Sequence, residues 1–325
     1  MSMRALVQHS YDGPGDLALT DHPRPVAGPG EYLVRVGAAG VNFADVLQSR
    51  GRYGGGPVPP YVAGFEAAGE VVAVGPDVVD QLPVGTHVIG TGPGAFAEHL
   101  VMPAATVLPV PAGWSDAEAL GLVLNTATAL AALRTLGRVR AGETVLVHAA
   151  AGGVGQAAVR LARHLGARVV ATASPAKHDA VAALGAEVVL DGRRPDLAEE
   201  VRCRTGGVDV VLESVGRTTF AASLALARPF TGRVVVYGAA SGDATVSTHD
   251  LVHTHPVQVI GLHVGALAGV PELWQPLLAE LRQLVADGVV PPGTPEVHPL
   301  ADGPRVLARL AAGETRGKHA LDPWA

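Results

Sequence analysis

With 325 residues, 48% of them apolar and 17% charged, the chain has the length for two domains and a composition that excludes intrinsic disorder. Its formal charge of -6, from 30 acids and 24 bases without a basic run, excludes a nucleic-acid backbone as the main partner. The single cysteine, Cys203, allows neither an internal disulfide nor a thiolate zinc site, and the opening MSMRALVQHSYDGPGD holds no signal-peptide core, so a soluble cytoplasmic protein is expected.

From Arg4 to about Pro109, the β-rich runs RALVQ, EYLVRVGAAGV, GEVVAVG, THVIG and AEHLV are separated by turn clusters such as DGPGD, RPVAGPGE and RGRYGGGPVPP. This is the pattern of antiparallel strands. After Trp114 short apolar runs alternate with helical patterns: Thr144–Ala149, Arg168–Thr172, Glu187–Leu190, Val208–Glu213 and Arg233–Tyr237. Strands apolar on both faces and separated by helices imply a parallel sheet covered on both sides. Val154, Ala158, Leu161, Ala162 and Leu165 mark the first crossover helix, stopped by Gly166. A second starts at Ser174 and Pro175 and ends near Gly185. Beyond Ser241 the pattern gives a strand at Val257–Leu262, helices at Pro271–Asp287 and Ala301–Ala312, and a strand at Lys318–Asp322.

The segment HAAAGGVGQ (His148–Gln156) joins the first of these strands to the first helix. A turn so placed brings a pyrophosphate onto backbone amides at the positive helix end, where a side chain at Gly152 or Gly155 would obstruct it. Against G-x-G-x-x-G, Ala150 replaces the first glycine, and Gly153 and Val154 fill the interval between the other two. An NAD site carries an acid at the end of the second strand, where it accepts hydrogen bonds from the ribose hydroxyls. Ser174 stands there with Lys177 following, so NADP is expected; alternatively Ser174 caps its helix and Lys177 is solvated. Arg193 and Arg194 are further candidates for the phosphate, with Asp191 beside them arguing the other way.

These segments, together with VNFADVLQSRGRY (Val41–Tyr53), GFEAAGEVVAVG (Gly64–Gly75), VDVVLESVG (Val208–Gly216), GRVVVYGAASG (Gly232–Gly242) and GKHALDP (Gly317–Pro323), resemble the medium-chain dehydrogenase/reductase superfamily. The resemblance is to its zinc-free quinone oxidoreductase branch, which includes zeta-crystallin, and it covers essentially the whole chain. It implies a GroES-like antiparallel β domain over 1–120, an NADP-binding Rossmann domain with a doubly wound parallel sheet over 121–262, and a return segment over 263–325 that completes the first, with substrate in the cleft between them. It places Asn42 and Asp45 beside the nicotinamide, Tyr53 in the substrate cleft and Thr128 near the nicotinamide ribose. The ordinary alternatives are that Asn42 and Asp45 cap a helix and that Tyr53 packs on prolines. Val215, Tyr237, Gly238 and Lys318 join the cofactor contacts. Where zinc alcohol dehydrogenases of the superfamily carry Cys, His and Cys, this sequence has Asn42, Phe65 and Leu124, so no metal is expected. Leu47 stands where related quinone reductases often have a second tyrosine, which implies a more apolar pocket.

The implied activity is hydride transfer from NADPH to a quinone or to the C=C bond of an α,β-unsaturated carbonyl, with protonation from Tyr53 or water. The stretch from Arg160 to Val181 also resembles enoyl reductase domains of polyketide synthases, which makes an enoyl thioester the alternative acceptor. An alternative of another class is an NADPH-binding structural or sensor protein without turnover. His249, His253 and His255 have spacings open to a metal, although Pro256 breaks the helix and surface histidines are the ordinary reading. Cys203 reads as a packing residue of an amphipathic helix. The apolar run Val257–Leu262 stands at a sheet edge open to aggregation or a partner, and the resemblance implies a homodimer joined there, unless the chain after Gly265 folds back over that edge.

Overall fold

Along the early strands side chains alternate between core and solvent, as where buried Val34 and Val36 flank exposed Arg35, the period-2 signature of a sheet with one buried face. The structure, a computed structural model, describes residues 1–325 and divides into two units, Met1–Leu124 with Pro292–Ala325, and Asn125–Pro291.

The first unit opens with β1 (Ser2–Gln8), β2 (Leu17–Pro23), β3 (Glu31–Val41), α1 (Phe43–Ser49), β4 (Tyr61–Val62), β5 (Glu66–Val74), β6 (His87–Thr91), β7 (His99–Pro103), β8 (Leu108–Pro109) and α2 (Asp116–Ala119). The second unit begins with α3 (Ala127–Leu130) and continues through β9 (Thr144–Val147), α4 (Gly153–His164), β10 (Arg168–Thr172), α5 (His178–Ala183), β11 (Val188–Leu190), α6 (Leu197–Thr205), β12 (Val210–Glu213), α7 (Phe220–Leu226), β13 (Arg233–Val236), β14 (Gln258–Gly261), α8 (Val264–Ala268) and α9 (Pro271–Ala286). The chain returns to the first unit with β15 (Glu296–Pro299), α10 (Gly303–Ala311) and β16 (His319–Asp322).

In the first unit β2-β1-β4 form an antiparallel sheet, and a seven-stranded sheet runs β15-β16-β3-β5-β6-β8 with β7 also paired to β3. The return strand β16 lies antiparallel to β3 and parallel to β15, with His319 opposite both Val41 and Glu296. Phe96, Leu100, Met102, Val88, Leu307 and Leu321 belong to the core that these strands and α10 enclose.

The second unit holds a parallel sheet in the order β11-β10-β9-β12-β13-β14, the doubly wound arrangement the sequence predicts. The expected domain limits shift. The first junction is at Leu124/Asn125 and the second at Pro291/Pro292, not at 262/263. The reason is α9, whose buried stripe of Trp274, Leu277, Leu278, Leu281 and Leu284 packs against α3 within the second unit. The segment Asp116–Leu136 is long and apolar enough to cross a membrane by length and composition, yet 67% of its most apolar window is buried in the protein, which is how a core helix behaves.

Candidate active site

The strand order of the second unit reverses between β9 and β12, where the carboxyl ends of the strands open the crevice in which doubly wound sheets bind ligands. The His148–Gln156 turn leaves β9 at this point. Ala149 adopts a φ of 49°, with its N–H donating to Thr172 Oγ1 at 3.3 Å, and buried Ala150 donates its N–H to the Thr172 carbonyl at 2.9 Å. Gly152 is the N-cap of α4. A Cβ there would meet only the Ala149 carbonyl at an ordinary 3.4 Å, so the protein itself tolerates one and the space stays open for an anion at the helix end. Gly155 differs: its Cβ would stand 2.5 Å from the Ala149 oxygen and 2.6 Å from Ala150 Cα, so helix and turn could not close together. Gly153 faces Asn125, whose Oδ1 would lie 2.9 Å from an added Cβ, and Val154 sits half-buried in the same first turn.

Beneath this turn lies a buried polar network that sequence reading missed. Glu213, wholly buried at the end of β12, accepts from the Val215 and Gly216 N–H groups at 2.7 and 3.0 Å. Thr219 Oγ1 and Ser223 Oγ donate to it at 2.8 and 2.6 Å. Because Ser223 gives its proton to the carboxylate, His148 Nε2, 3.1 Å from Ser223 Oγ, is the donor, and His148 Nδ1 accepts from Thr172 Oγ1 at 3.0 Å. Burial holds the His148 imidazole below its usual pKa, against the opposing pull of Glu213, which matches that neutral tautomer. The network ties the ends of β9, β10 and β12 into one floor. Tyr237 and Gly238 follow β13 on the same side of the sheet. The Tyr237 phenol, hydrogen-bonded to Ser214, is pushed up to about 12 by burial, and a Cβ on Gly238 would stand 2.9 Å from the Ser214 carbonyl.

At the end of β10, Ser174 precedes a short 3-10 turn over Pro175–Lys177 and makes no side-chain cap bond, so the capping reading is not what the structure has. Its hydroxyl and the half-buried Lys177, whose ammonium burial shifts downward, occupy the region where an NAD site carries an acid. Arg193 is drawn onto Asp191 by two hydrogen bonds of 3.1 Å, and Arg194 onto Asp196 at 2.6 and 2.7 Å. Both guanidinium groups are therefore committed to local carboxylates.

In the first unit Asn42 and Asp45 flank the start of α1. Asp45 Oδ2 accepts the Asn42 N–H at 2.7 Å, closing the helix end as the capping alternative expects. The Asn42 side chain does more. Its Nδ2 donates to Glu66 Oε2 at 3.0 Å and its Oδ1 accepts from Lys318 Nζ at 2.7 Å, while Lys318 also pairs with Glu66 directly. Glu66 is fully buried and its second oxygen accepts the Gly121 N–H at 2.7 Å. Gly40 must be glycine, since a Cβ would run into the Glu66 carboxyl group. Burial pushes the Asp45 carboxyl up to about 8, against the lowering effects of the Asn42 N–H and the Lys318 charge. Tyr53 stacks on Phe65 with ring centroids 6.3 Å apart, and burial followed by the Asp45 charge raises its phenol pKa.

A zinc-binding dehydrogenase family model matches residues 153–283 and an alcohol dehydrogenase GroES-like domain model matches residues 28–112. A mycobacterial protein solved in complex with NADPH superposes with a TM-score of 0.93 at 35% identity over 99% of this chain and 100% of that one. The Escherichia coli quinone oxidoreductase solved with NADPH gives 0.92 at 30% identity, over 98% and 100%. The chain belongs to the quinone oxidoreductase branch of the medium-chain dehydrogenase/reductase superfamily. CurK enoyl reductase is another structural relative, with a TM-score of 0.89 at 31% identity over 98% of this chain and 99% of that one. In sequence, 38% identity over 326 residues links 97% of the chain to 15% of a phenolphthiocerol/phthiocerol polyketide synthase subunit from Mycobacterium tuberculosis. The chain thus spans about 15% of the length of that curated relative.

For a member of this superfamily the expected site residues fall into two groups. Asn42, Asp45 and Lys318 converge around Glu66 in the first unit. Buried Thr128 on α3, with the glycine turn and Val215, Tyr237 and Gly238, belongs to the second. Glu66 and Asn125 escaped the sequence reading. Cys203 is exposed on α6, not packed: the buried residues there are Leu197 and Val201, and a position two residues beyond Val201 faces the other way. His249 and His253 lie with ring centroids 4.6 Å apart and planes tilted by 48° beside the turn over Asp250–Thr254, but the place where two histidines converge with one carboxylate is elsewhere, at His298 and His319 with Glu296.

Proposed function

We propose that the chain is an NADPH-dependent reductase acting on quinones or on the C=C bond of α,β-unsaturated carbonyls, without a catalytic zinc. The observation that carries this reading is the open Gly152 cradle at the sheet's switch point, paired with Ser174 and Lys177 in place of an acid after β10. Gly152, Gly153, Val154 and Gly155, with the backbone of Ala150, hold the pyrophosphate. Ser174 and Lys177 hold the 2'-phosphate, and Val215, Tyr237, Gly238 and Thr128 orient the nicotinamide half. When bound, NADPH supplies a hydride for an electron-poor carbon of the acceptor.

The first unit contributes proton management and orientation. Lys318 and Glu66 fix the Asn42 amide from both sides, so it presents one orientation to a ligand. Asp45 stays protonated to about 8 and is a neutral neighbour at physiological pH. The Tyr53 phenol, raised above its usual pKa, keeps its proton and is the proposed donor to the developing enolate. Asn42 and Phe65 supply neither the thiolate nor the imidazole that a zinc alkoxide mechanism needs.

An enoyl thioester is the second reading of the acceptor, supported by the likeness to CurK enoyl reductase and to the polyketide synthase subunit. Rates of NADPH consumption with matched quinones, enones and enoyl thioesters decide between them. A dominant kcat/KM for one class assigns it, and tight NADPH binding with turnover of none of them favours a structural or sensor role. We further propose a cytoplasmic homodimer joined through β14, which pairs only with β13 and exposes Gln258, Val259 and Gly261.

A further inference from the structure

We propose that Glu296, His298 and His319 form a binding site for one divalent borderline metal ion, zinc being the best match, on the strand pair β15–β16. The parallel register sets Glu296 opposite His319, and the period of 2 along β15 returns His298 to the face of Glu296. His298 Nε2 lies 3.1 Å from His319 Nδ1. The two carboxylate oxygens of Glu296 lie 3.6 Å from His298 Nε2 and 3.7 Å from His319 Nδ1. Zinc bonds of about 2.0–2.2 Å at a tetrahedral angle put ligand atoms roughly 3.3–3.5 Å apart, close to each of these separations, and one ligand atom from each of the three residues lies within 4.8 Å of the others.

The local chemistry also favours a metal over a plain hydrogen bond. The imidazoles are buried and stacked, with centroids 5.4 Å apart and planes inclined by 14°, so at most one proton fits between the facing nitrogens. A metal ion would instead take a lone pair from both facing nitrogens, His298 Nε2 and His319 Nδ1. Glu296 is 57% exposed, which gives an ion a path from solvent and leaves the fourth position to water. The nearest competing cation is Arg309, with Nη1 3.9 Å from Glu296 Oε1, a weak hold on an exposed carboxylate. The set is separate from Asn42, Phe65 and Leu124. Its effect is to lock β15 onto β16, one residue from Lys318, without entering the proposed hydride chemistry.

The test uses the full chain in a Cys203→Ser background, which removes the exposed thiol, after dialysis against a chelator. Zinc alone is titrated by calorimetry, and cobalt(II) alone is followed by its visible spectrum. The expected result is one zinc per chain, a tetrahedral cobalt spectrum, and a raised Tm with zinc. Glu296→Gln should weaken binding by ~10-fold or more, and His298→Gln or His319→Gln by ~100-fold, the scale on which ligand shells control affinity. Paired His249→Ala and His253→Ala should change nothing. Absence of saturable binding overturns the proposal, as does unchanged affinity in Glu296→Gln, whose exposed side chain keeps this arm valid even where a buried histidine variant fails to fold. Loss of binding in the His249/His253 variant overturns it as well.

Discussion

At the scale of single residues, the proposed function gives cofactor choice to Lys177 and reductase chemistry to the cluster around Asn42. Lys177→Ala should raise the Kd for NADPH by roughly 10-fold to 100-fold, the worth of one charge-assisted hydrogen bond, and leave NADH nearly unchanged. Fluorescence titration with both cofactors reads this, and equal losses would remove the phosphate role. Asp45 gives a pH signature. Its carboxyl titrates at about 8 in the folded chain against 3.8 as a free side chain, so the folded state holds the extra proton between these values. Its contribution to stability is complete below about 3.8 and is lost as pH rises through about 8. Asp45→Asn should remove that decline, so denaturation curves of wild type and variant diverge towards alkaline pH; parallel curves would contradict it. The pairing of Asn42 with Asp45 at the start of α1 was legible because the two sit in one short motif. Glu66 was not, because its partner Lys318 is 252 residues away and a carboxylate in a strand run carries no mark of its pairing.

At the scale of elements, the glycine turn and the first helix form one unit whose closure depends on Gly155. Gly155→Ala should cost about 2 kcal/mol or more in unfolding free energy, as overpacking against backbone does, measurable by urea titration. Gly152→Ala should spare stability and weaken NADPH binding. If the two variants behave alike, the division of labour between these glycines is wrong. Much of the secondary structure was readable from apolar runs: Arg168–Thr172 is a strand at its expected limits, and Pro271–Ala286 ends one residue short. β2 went unread because only Leu17 of its seven residues is buried, and β15 because EVHP offers four residues with one buried. Periodicity showed that α9 has an apolar stripe but not what that stripe covers, hence the misplaced boundary at 263.

At the scale of the whole molecule, the exposed edge of β14 is the feature that calls for a partner. Val259→Pro removes a donor from that strand, so light scattering should show a dimer for the wild type and a monomer near 33.0 kDa for the variant; a wild-type monomer at micromolar concentration would contradict the dimer. Hydride transfer from NADPH is the central step of the proposed function. Its most direct test is to supply NADPH deuterated at the transferable position with a quinone, an enone and an enoyl thioester, and to follow the label by mass spectrometry and NMR. Deuterium at the β-carbon of a reduced enone or thioester, or stoichiometric oxidation of the labelled cofactor by a quinone with a kinetic isotope effect, is the expected result. Tight binding of NADPH with no oxidation and no label in any product would contradict it.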